Sequence, residues 1–239
     1  MIDPLQASQT SAHHSAPLIV YVDVKSPYAY LAIEPTIAMG HELGIAIDWR
    51  PLTLNIPSYL GSARTDNSGK VVESKRSPAQ WNAVRYAYRD AKRYARLRGI
   101  TLYGTQKIWD SSLAGIGLLW ARQQGQAAAE RYLNAVYPPF WRRELDIEQA
   151  SVIEATLAAA NVELRGFDDF AHGEGRLIHD QLQDALHPAG IFGVPTYVIA
   201  GDCFFGREHL PAVRWLLTGQ TGPAPDIAYD LLQIDHASG

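Results

Sequence analysis

The chain has 239 residues, of which 47% are hydrophobic and 19% are charged, so it can bury one large core or a core with an inserted subdomain. Its formal net charge is −4, which argues against the strongly basic class of nucleic-acid-binding domains, and we predict no nucleic-acid partner. No apolar run reaches membrane-spanning length, so we predict no membrane partner.

Residues 1–17 are rich in Ser, Gln, Ala and His. They lack the apolar core of a signal peptide, so we interpret them as a flexible tail and expect a cytoplasmic protein.

A β-α-β unit is predicted after this tail. Residues 18–24 are a β-branched and aromatic run typical of a buried strand. Ser26 followed by Pro27 is typical of a helix N-cap and a first helical residue, and the apolar periodicity that follows ends at Gly44. Residues 45–52 predict a second strand, parallel to the first.

The middle of the chain predicts a loop and then helices. Residues 55–77 are rich in Gly, Ser, Asn and Pro, which indicates a long loop. The helical pattern that follows is continuous, although Pro138 and Pro139 are expected to kink or break the third helix. The predicted helices cover residues 78–98, 111–124, 126–145, 147–160 and 166–186.

A β-β-α unit is predicted near the C-terminus. Residues 197–200 and 203–205 are short apolar strands joined at Gly201-Asp202, a hairpin signal, and residues 207–217 form an amphipathic helix.

Cysteine and histidine are placed unfavourably for redox or metal chemistry. Cys203 is the one cysteine of the chain, so no intrachain disulfide can form, and a single thiol fits a reducing compartment. It lies in an apolar strand and is interpreted as an inert buried thiol. His172 and His179 lack zinc-ligand spacing, so no metal site is predicted.

The order of these elements, with Val194-Pro195-Thr196 opening the third strand of the fold, resembles an α/β thioredoxin fold with an all-helical DsbA-type insertion. By this resemblance Pro195 is cis. The resemblance implies a thioredoxin-like domain of residues 18–55 and 187–218, a loop and helical insertion over residues 56–186, and a C-terminal tail over residues 219–239.

Residues 23–31, 192–196 and 204–208 are similar to the 2-hydroxychromene-2-carboxylate isomerases and the related kappa-class glutathione transferases. DsbA-like oxidoreductases carry Cys-x-x-Cys at the start of the first helix, but Ser26 and Ala29 stand at those two positions here. The resemblance implies a small-molecule substrate and a homodimer.

The resemblance also implies glutathione as the cofactor, because a helix N-terminus favours a thiolate and this one has no cysteine. Ser26, as the catalytic residue, would donate a hydrogen bond to the sulfur; its alternative role is a simple N-cap. Val194 and Pro195 would pair with the tripeptide as an added strand. Arg207 and Glu208 would bind its γ-glutamyl end, although the family usually has Asp at the second position and an acid there also suits the helix dipole.

Candidate substrate residues come from the same resemblance. Trp109 is a candidate substrate wall, with a core tryptophan as its alternative. Asn55, Asn67 and Lys70 are candidates for loop residues that the isomerases use.

The first helix of the insertion also carries a row of cations, interleaved with aromatic residues. We interpret it as a solvated basic face, with attraction of an anionic substrate as the alternative. The cations are Arg85, Arg89, Lys92, Arg93 and Arg96.

These features predict a glutathione-dependent isomerase or transferase that acts on a conjugated aromatic carboxylate or keto acid by thiolate addition. A thiol-disulfide oxidoreductase is a second hypothesis, against which the single cysteine argues. A third is a DsbA-like family member without redox activity that serves as a thiol or peptide binding module.

Overall fold

The structure is a computed structural model that describes residues 17–66, 68 and 70–226. The predicted N-terminal tail up to residue 16, the candidate Asn67 and residues 227–239 lie outside the described residues. The strands are β1 (Leu18–Val22), β2 (Ile47–Pro51), β3 (Ala63–Thr65), β4 (Val71–Ser74), β5 (Thr196–Ile199) and β6 (Asp202–Phe205). The helices are α1 (Pro27–Leu43), α2 (Ile56–Leu60), α3 (Pro78–Leu97), α4 (Ser112–Gln123), α5 (Gln126–Trp141), α6 (Ala150–Ala159), α7 (Phe167–His172), α8 (Glu174–Leu186) and α9 (Leu210–Leu217).

The main sheet confirms the predicted β-α-β and β-β-α units. Its strand order is β2-β1-β5-β6. Strand β1 is parallel to β2, with Val20 opposite Trp49, and antiparallel to β5, with Val20 opposite Tyr197. Because β6 pairs with β5 alone in this order, it is an edge strand. The predicted thioredoxin fold with a helical insertion is therefore present.

The ends of α1 follow from the residues that cap it. Ser26 has an extended backbone and its Oγ accepts a hydrogen bond from the Ala29 N–H at 3.2 Å, while Pro27 occupies the first helical position. At the other end Gly44 adopts φ 64°, a left-handed conformation that glycine enters without steric cost.

The predicted long loop over residues 55–77 is wrong, because it contains α2 and the β3–β4 hairpin. The Asp66 carboxylate accepts hydrogen bonds from the N–H groups of Ser68 and Lys70, which closes the hairpin turn. The polar composition therefore belongs to a turn between two short strands, whose exposure removed the apolar alternation that would have marked them.

Two predicted helices differ in extent. The helix predicted over residues 166–186 is divided into α7 and α8 by Gly173, whose φ of −115° and ψ of −108° are not helical. The predicted break at Pro138 and Pro139 is wrong, because α5 continues through both prolines, which lie in its last turn, and ends at Trp141 rather than at residue 145. There the missing N–H groups cost two hydrogen bonds without interrupting the helix body.

The C-terminal unit is shifted by small amounts. Asp202 pairs with Ile199, so the hairpin turn is Ala200-Gly201 rather than the predicted Gly201-Asp202. A 3₁₀ turn over Arg207–His209 precedes α9.

Helix α4 is the centre of the helical insertion, where it packs against β2, α5, α6, α7 and α8. At Gly117 an added Cβ would lie 2.6 Å from the Tyr132 Oη, so a glycine is needed where α4 meets α5. The insertion is thus bound directly to the sheet through β2. In the part of the chain that the structure describes, no helix is long and apolar enough to cross a membrane.

Candidate active site

Ser26 faces the loop that precedes β5. The Val194–Pro195 peptide bond is cis, as the resemblance implied. The Ser26 Oγ donates a hydrogen bond to the Val194 carbonyl at 3.4 Å while it accepts the one from the Ala29 N–H. Ser26 is 4% exposed. The structure therefore brings Ser26, Val194 and Pro195 together at the N-terminus of α1.

The cis-proline loop is held by its own hydrogen bonds. The Thr196 Oγ1 donates to the Gly193 carbonyl at 2.7 Å, and the Gly206 N–H donates to the Pro195 carbonyl at 2.9 Å. Within the described residues the Val194 N–H meets no acceptor. The loop thus offers one backbone donor beside Ser26.

An exposed aromatic pair flanks this loop. The rings of Phe192 and Phe205 meet edge to face at 5.0 Å, and Phe192 is 62% exposed. A Cβ at Gly193 would lie 2.4 Å from the Phe205 ring, so the glycine lets the ring cover the backbone next to Val194. The pair gives the loop an apolar surface.

A buried ion pair lies immediately before Ser26. The Lys25 Nζ is 3.5 Å from the Asp23 Oδ2, and the two side chains are only 6% and 1% exposed. Neither residue is among the site residues predicted from the sequence. The available signal was the pair of opposite charges at the end of an apolar strand, next to a helix start. The two opposite charges of this pair lie next to the α1 N-terminus and largely offset each other.

The Asp23 carboxylate also positions the segment that follows β2. It accepts a hydrogen bond from the Leu54 N–H at 2.8 Å, in addition to one from the Lys25 N–H. Asn55 is the next residue, is exposed and forms the N-cap of α2. This contact brings Asn55 to the same end of the sheet as Ser26. Lys70 lies in the β3–β4 turn, and no described contact joins it to Ser26.

Arg207 and Glu208 lie in the 3₁₀ turn that packs against α1. The Arg207 guanidinium lies 3.8 Å from the centre of the Tyr94 ring. Burial raises the pKa of Tyr28 to about 12, assisted by Asp90 and opposed by Arg207, which places that cation near the first turn of α1. The Glu208 carboxylate turns back over Gly206, where a Cβ would lie 2.5 Å from its Oε2.

Trp109 lines a separate cavity of about 210 Å³. Its ring meets Phe140 edge to face at 5.9 Å, and Phe140 in turn contacts Trp141. The Trp141 Nε1 donates to the Val24 carbonyl at 3.0 Å. The ring contacts of Trp109 connect it to the Ser26 segment through Phe140 and Trp141, and its near neighbour Ser111 lines a cavity together with Asp23 and Val24.

The interpretation of Cys203 as a buried thiol is wrong, because it is exposed on the edge strand β6. Desolvation raises its pKa, and the neighbouring Asp202 raises it further. A raised pKa reduces the thiolate fraction at neutral pH, so this thiol is a poor nucleophile.

This chain resembles known proteins along most of its length. The family model for the DSBA-like thioredoxin domain matches residues 17–217. A 2-hydroxychromene-2-carboxylate isomerase from Pseudomonas putida is 23% identical over 192 residues, which cover 80% of this chain and 88% of the relative. A protein of the same name from Pseudomonas sp. (strain C18) is 22% identical over 207 residues, or 86% and 90% of the two chains.

Two solved structures share the fold. A 2-hydroxychromene-2-carboxylate isomerase matches with a TM-score of 0.66 at 21% identity and covers 84% of this chain and 94% of its own. A probable DsbA oxidoreductase from Streptomyces coelicolor matches with a TM-score of 0.62 at 15% identity. The match covers 87% of this chain and 92% of the oxidoreductase chain.

Proposed function

Because this chain belongs to the DsbA-like thioredoxin-domain family, we propose that it is a glutathione-dependent isomerase or transferase for a conjugated aromatic carboxylate or keto acid. The observation that carries the proposal is Ser26 at the N-terminus of α1, opposite the cis Val194–Pro195 bond. The two relatives named as isomerases support this reaction class. A homodimer stays a prediction from the resemblance.

The residues around Ser26 fit a ligand that combines a thiolate with a peptide backbone. The α1 N-terminus favours an anion at this point. The Val194 N–H can donate to a backbone carbonyl of an extended peptide. Arg207 would meet a carboxylate of the ligand.

Bound glutathione would supply a thiolate that adds to the conjugated double bond of the substrate and leaves after rotation about the resulting single bond. The Ser26 hydroxyl would donate a hydrogen bond to that sulfur and so stabilise its thiolate form. The hydroxyl can make this bond at small cost, because it gives up only a long 3.4 Å bond to the Val194 carbonyl.

The variant Ser26→Ala tests the proposal. A hydrogen bond to a charged group contributes about 1.5–3 kcal/mol, so glutathione affinity should fall roughly tenfold or more, as measured by isothermal titration calorimetry. Isomerisation of 2-hydroxychromene-2-carboxylate, measured by absorbance, should fall with it. Unchanged affinity and turnover would contradict the assigned role.

The matched control is Ser77→Ala. Ser77 caps α3 by accepting from the Gln80 N–H at 3.2 Å, the same distance as the cap at Ser26. Each variant should lose about 1 kcal/mol of unfolding free energy through the lost cap. Only Ser26→Ala should weaken glutathione binding.

A peptide or thiol binding module without turnover is the second candidate, favoured by the exposed Phe192–Phe205 pair beside Val194. S-methylglutathione separates the two functions, because it keeps the peptide and lacks an ionisable thiol. The enzyme should bind glutathione more tightly than this analogue, whereas equal affinity without turnover would favour the module.

A further inference from the structure

A cavity of about 490 Å³ lies along one face of α3, and none of the residues assigned to the Ser26 site lines it. Its other walls are β3, the segment of residues 104–108 and Arg143. We call it the α3 groove. Its volume is within the usual range for small-molecule sites.

The α3 groove is strongly cationic. Among the described residues that line it, seven are Arg or Lys and none is Asp or Glu. Lys107 is paired with Glu148, whereas the other six cations have no carboxylate partner among the described residues. The seven are Arg76, Arg85, Arg89, Lys92, Lys107, Arg96 and Arg143.

The spacing of the cations on α3 places them on one face of the helix, towards the groove. Residues 85, 89, 92 and 96 recur at intervals of three and four, so they share one face of α3. They extend over about 16 Å, given a rise of 1.5 Å per residue. Like charges at these intervals repel each other, so the arrangement destabilises the empty protein and favours an anionic ligand.

Aromatic side chains in the groove contact two of the guanidinium groups. The guanidinium groups of Arg76 and Arg85 lie 5.0 and 5.5 Å from the centre of the Trp81 ring, and Trp81 lines the groove. Tyr88, which also lines the groove, has its hydroxyl 2.9 Å from the Thr105 Oγ1. These contacts connect α3 to the opposite wall and restrict the cations before a ligand arrives.

We propose that the α3 groove binds a small ligand with at least two phosphate groups. Five of the seven cations are arginines, whose planar guanidinium groups bind phosphate through two hydrogen bonds at once. A single carboxylate brings one negative charge to six unpaired cations, whereas a short phosphate chain brings several negative charges in a small volume. The hairpin and loop walls favour a compact ligand over a nucleic acid, which the net charge of −4 also repels.

Calorimetric titration of the full chain tests the ligand class, with pyrophosphate, tripolyphosphate, orthophosphate and citrate at the same ionic strength. Pyrophosphate and tripolyphosphate should bind at least tenfold more tightly than orthophosphate and citrate. Citrate binding equal to that of pyrophosphate would overturn the preference for phosphate. Tighter binding of a single-stranded oligonucleotide than of tripolyphosphate would overturn the small-ligand proposal.

A matched pair of double variants tests the location. Arg85→Gln/Arg89→Gln removes two groove cations, and both residues are exposed, so folding should persist. Arg64→Gln/Arg93→Gln makes the same change in net charge, but neither residue lines the groove. Pyrophosphate affinity should fall at least tenfold in the first variant and less than twofold in the second. Equal losses in the two variants would overturn the proposed site.

Two further measurements keep the test decisive. The single variant Arg89→Gln should weaken pyrophosphate binding even if the double variant is poorly folded. Pyrophosphate should also raise the thermal midpoint of the unaltered chain, because a ligand that binds only the folded state stabilises it. No shift at a concentration that saturates the calorimetric titration would overturn binding to the native protein.

Discussion

The side chain at residue 26 limits which sulfur chemistry the α1 N-terminus can support. A cysteine there could form a mixed disulfide with a partner thiol, whereas a serine can only donate or accept hydrogen bonds. Cys203 cannot replace it, because it lies on the edge strand β6 and its pKa is raised. Any reacting sulfur at Ser26 must therefore come from a ligand.

The variant Asp23→Asn should be strongly destabilised. It leaves the Lys25 ammonium buried without its counter-charge, and breaking a buried pair in this way typically costs about 3–5 kcal/mol. Urea unfolding measures the loss. The double variant Asp23→Asn/Lys25→Met should recover part of it, since no unpaired charge remains. A loss below about 1 kcal/mol for Asp23→Asn would contradict the pairing.

Residues with a local pattern were predictable, and residues that depend on tertiary burial were not. Ser26 as an N-cap follows from Ser-Pro at a helix start, and Pro195 as cis follows from a motif. The buried Asp23–Lys25 pair was missed because its burial comes from elements distant in sequence. Cys203 was misjudged because its apolar neighbours do not reveal that β6 is an edge strand.

At the scale of elements, Gly117→Ala should weaken the contact between α4 and α5. The new Cβ would lie 2.6 Å from the Tyr132 Oη, which donates to the Ala114 carbonyl at 2.9 Å. Overpacking of a buried site costs about 1–3 kcal/mol, more than the roughly 1 kcal/mol that alanine gains in helix propensity. The Gly117→Ala variant should therefore unfold at a lower urea concentration than the unaltered chain. An unchanged midpoint would show that Tyr132 can move away from the new methyl group.

Gly104→Ala is the control for that variant. A Cβ at Gly104 would have its nearest neighbour, the Arg143 side chain, 4.0 Å away. Its unfolding free energy should change by less than about 0.5 kcal/mol.

Element boundaries were predictable where a cap residue carries the signal. Gly44 ends α1 as expected because a left-handed C-cap favours glycine. The break at Gly173 was not predictable in this way, since a single glycine inside a helical pattern does not show whether the helix continues. The β3–β4 hairpin was missed because its strands are three and four residues long and mostly exposed.

At the scale of the molecule, a buried histidine joins the helical insertion to the sheet. The His179 Nε2 in α8 lies 2.9 Å from the Thr53 Oγ1, just after β2, and its Nδ1 lies 2.8 Å from the Asp180 Oδ1. Burial lowers the pKa of His179 below its ordinary value of 6.5, although Asp180 opposes the shift. Protonation therefore favours the unfolded chain.

This shift predicts a loss of stability in mild acid. Between pH 6.5 and the lowered pKa, the unfolded chain binds more protons than the folded one, so the unfolding free energy falls as the pH falls. Below the lowered pKa this loss is complete. Urea unfolding from pH 8 to pH 5 should show a smaller loss for His179→Gln than for the unaltered chain. An equal loss in His179→Gln and in the unaltered chain would contradict the assignment.

The α3 groove is lined by cations from several segments of the chain, so the helical pattern of α3 alone does not predict it. The sequence alone shows the row of cations on α3 and favours a solvated face for it. Arg76, Lys107 and Arg143 come from three other segments and complete the cavity, and no local pattern places them beside α3. A long-range arrangement therefore changes the interpretation of the row from a solvated surface to a candidate site.

The exposed thiol of Cys203 on β6 is a site for attaching a spectroscopic label. Because the chain has a single cysteine, a maleimide fluorophore would attach at one known position without any engineered mutation. Its raised pKa means that coupling is faster in alkaline buffer. Since Phe205, two residues further along the same strand, touches the cis-proline loop, such a dye would sit close enough to report occupancy of that loop in real time.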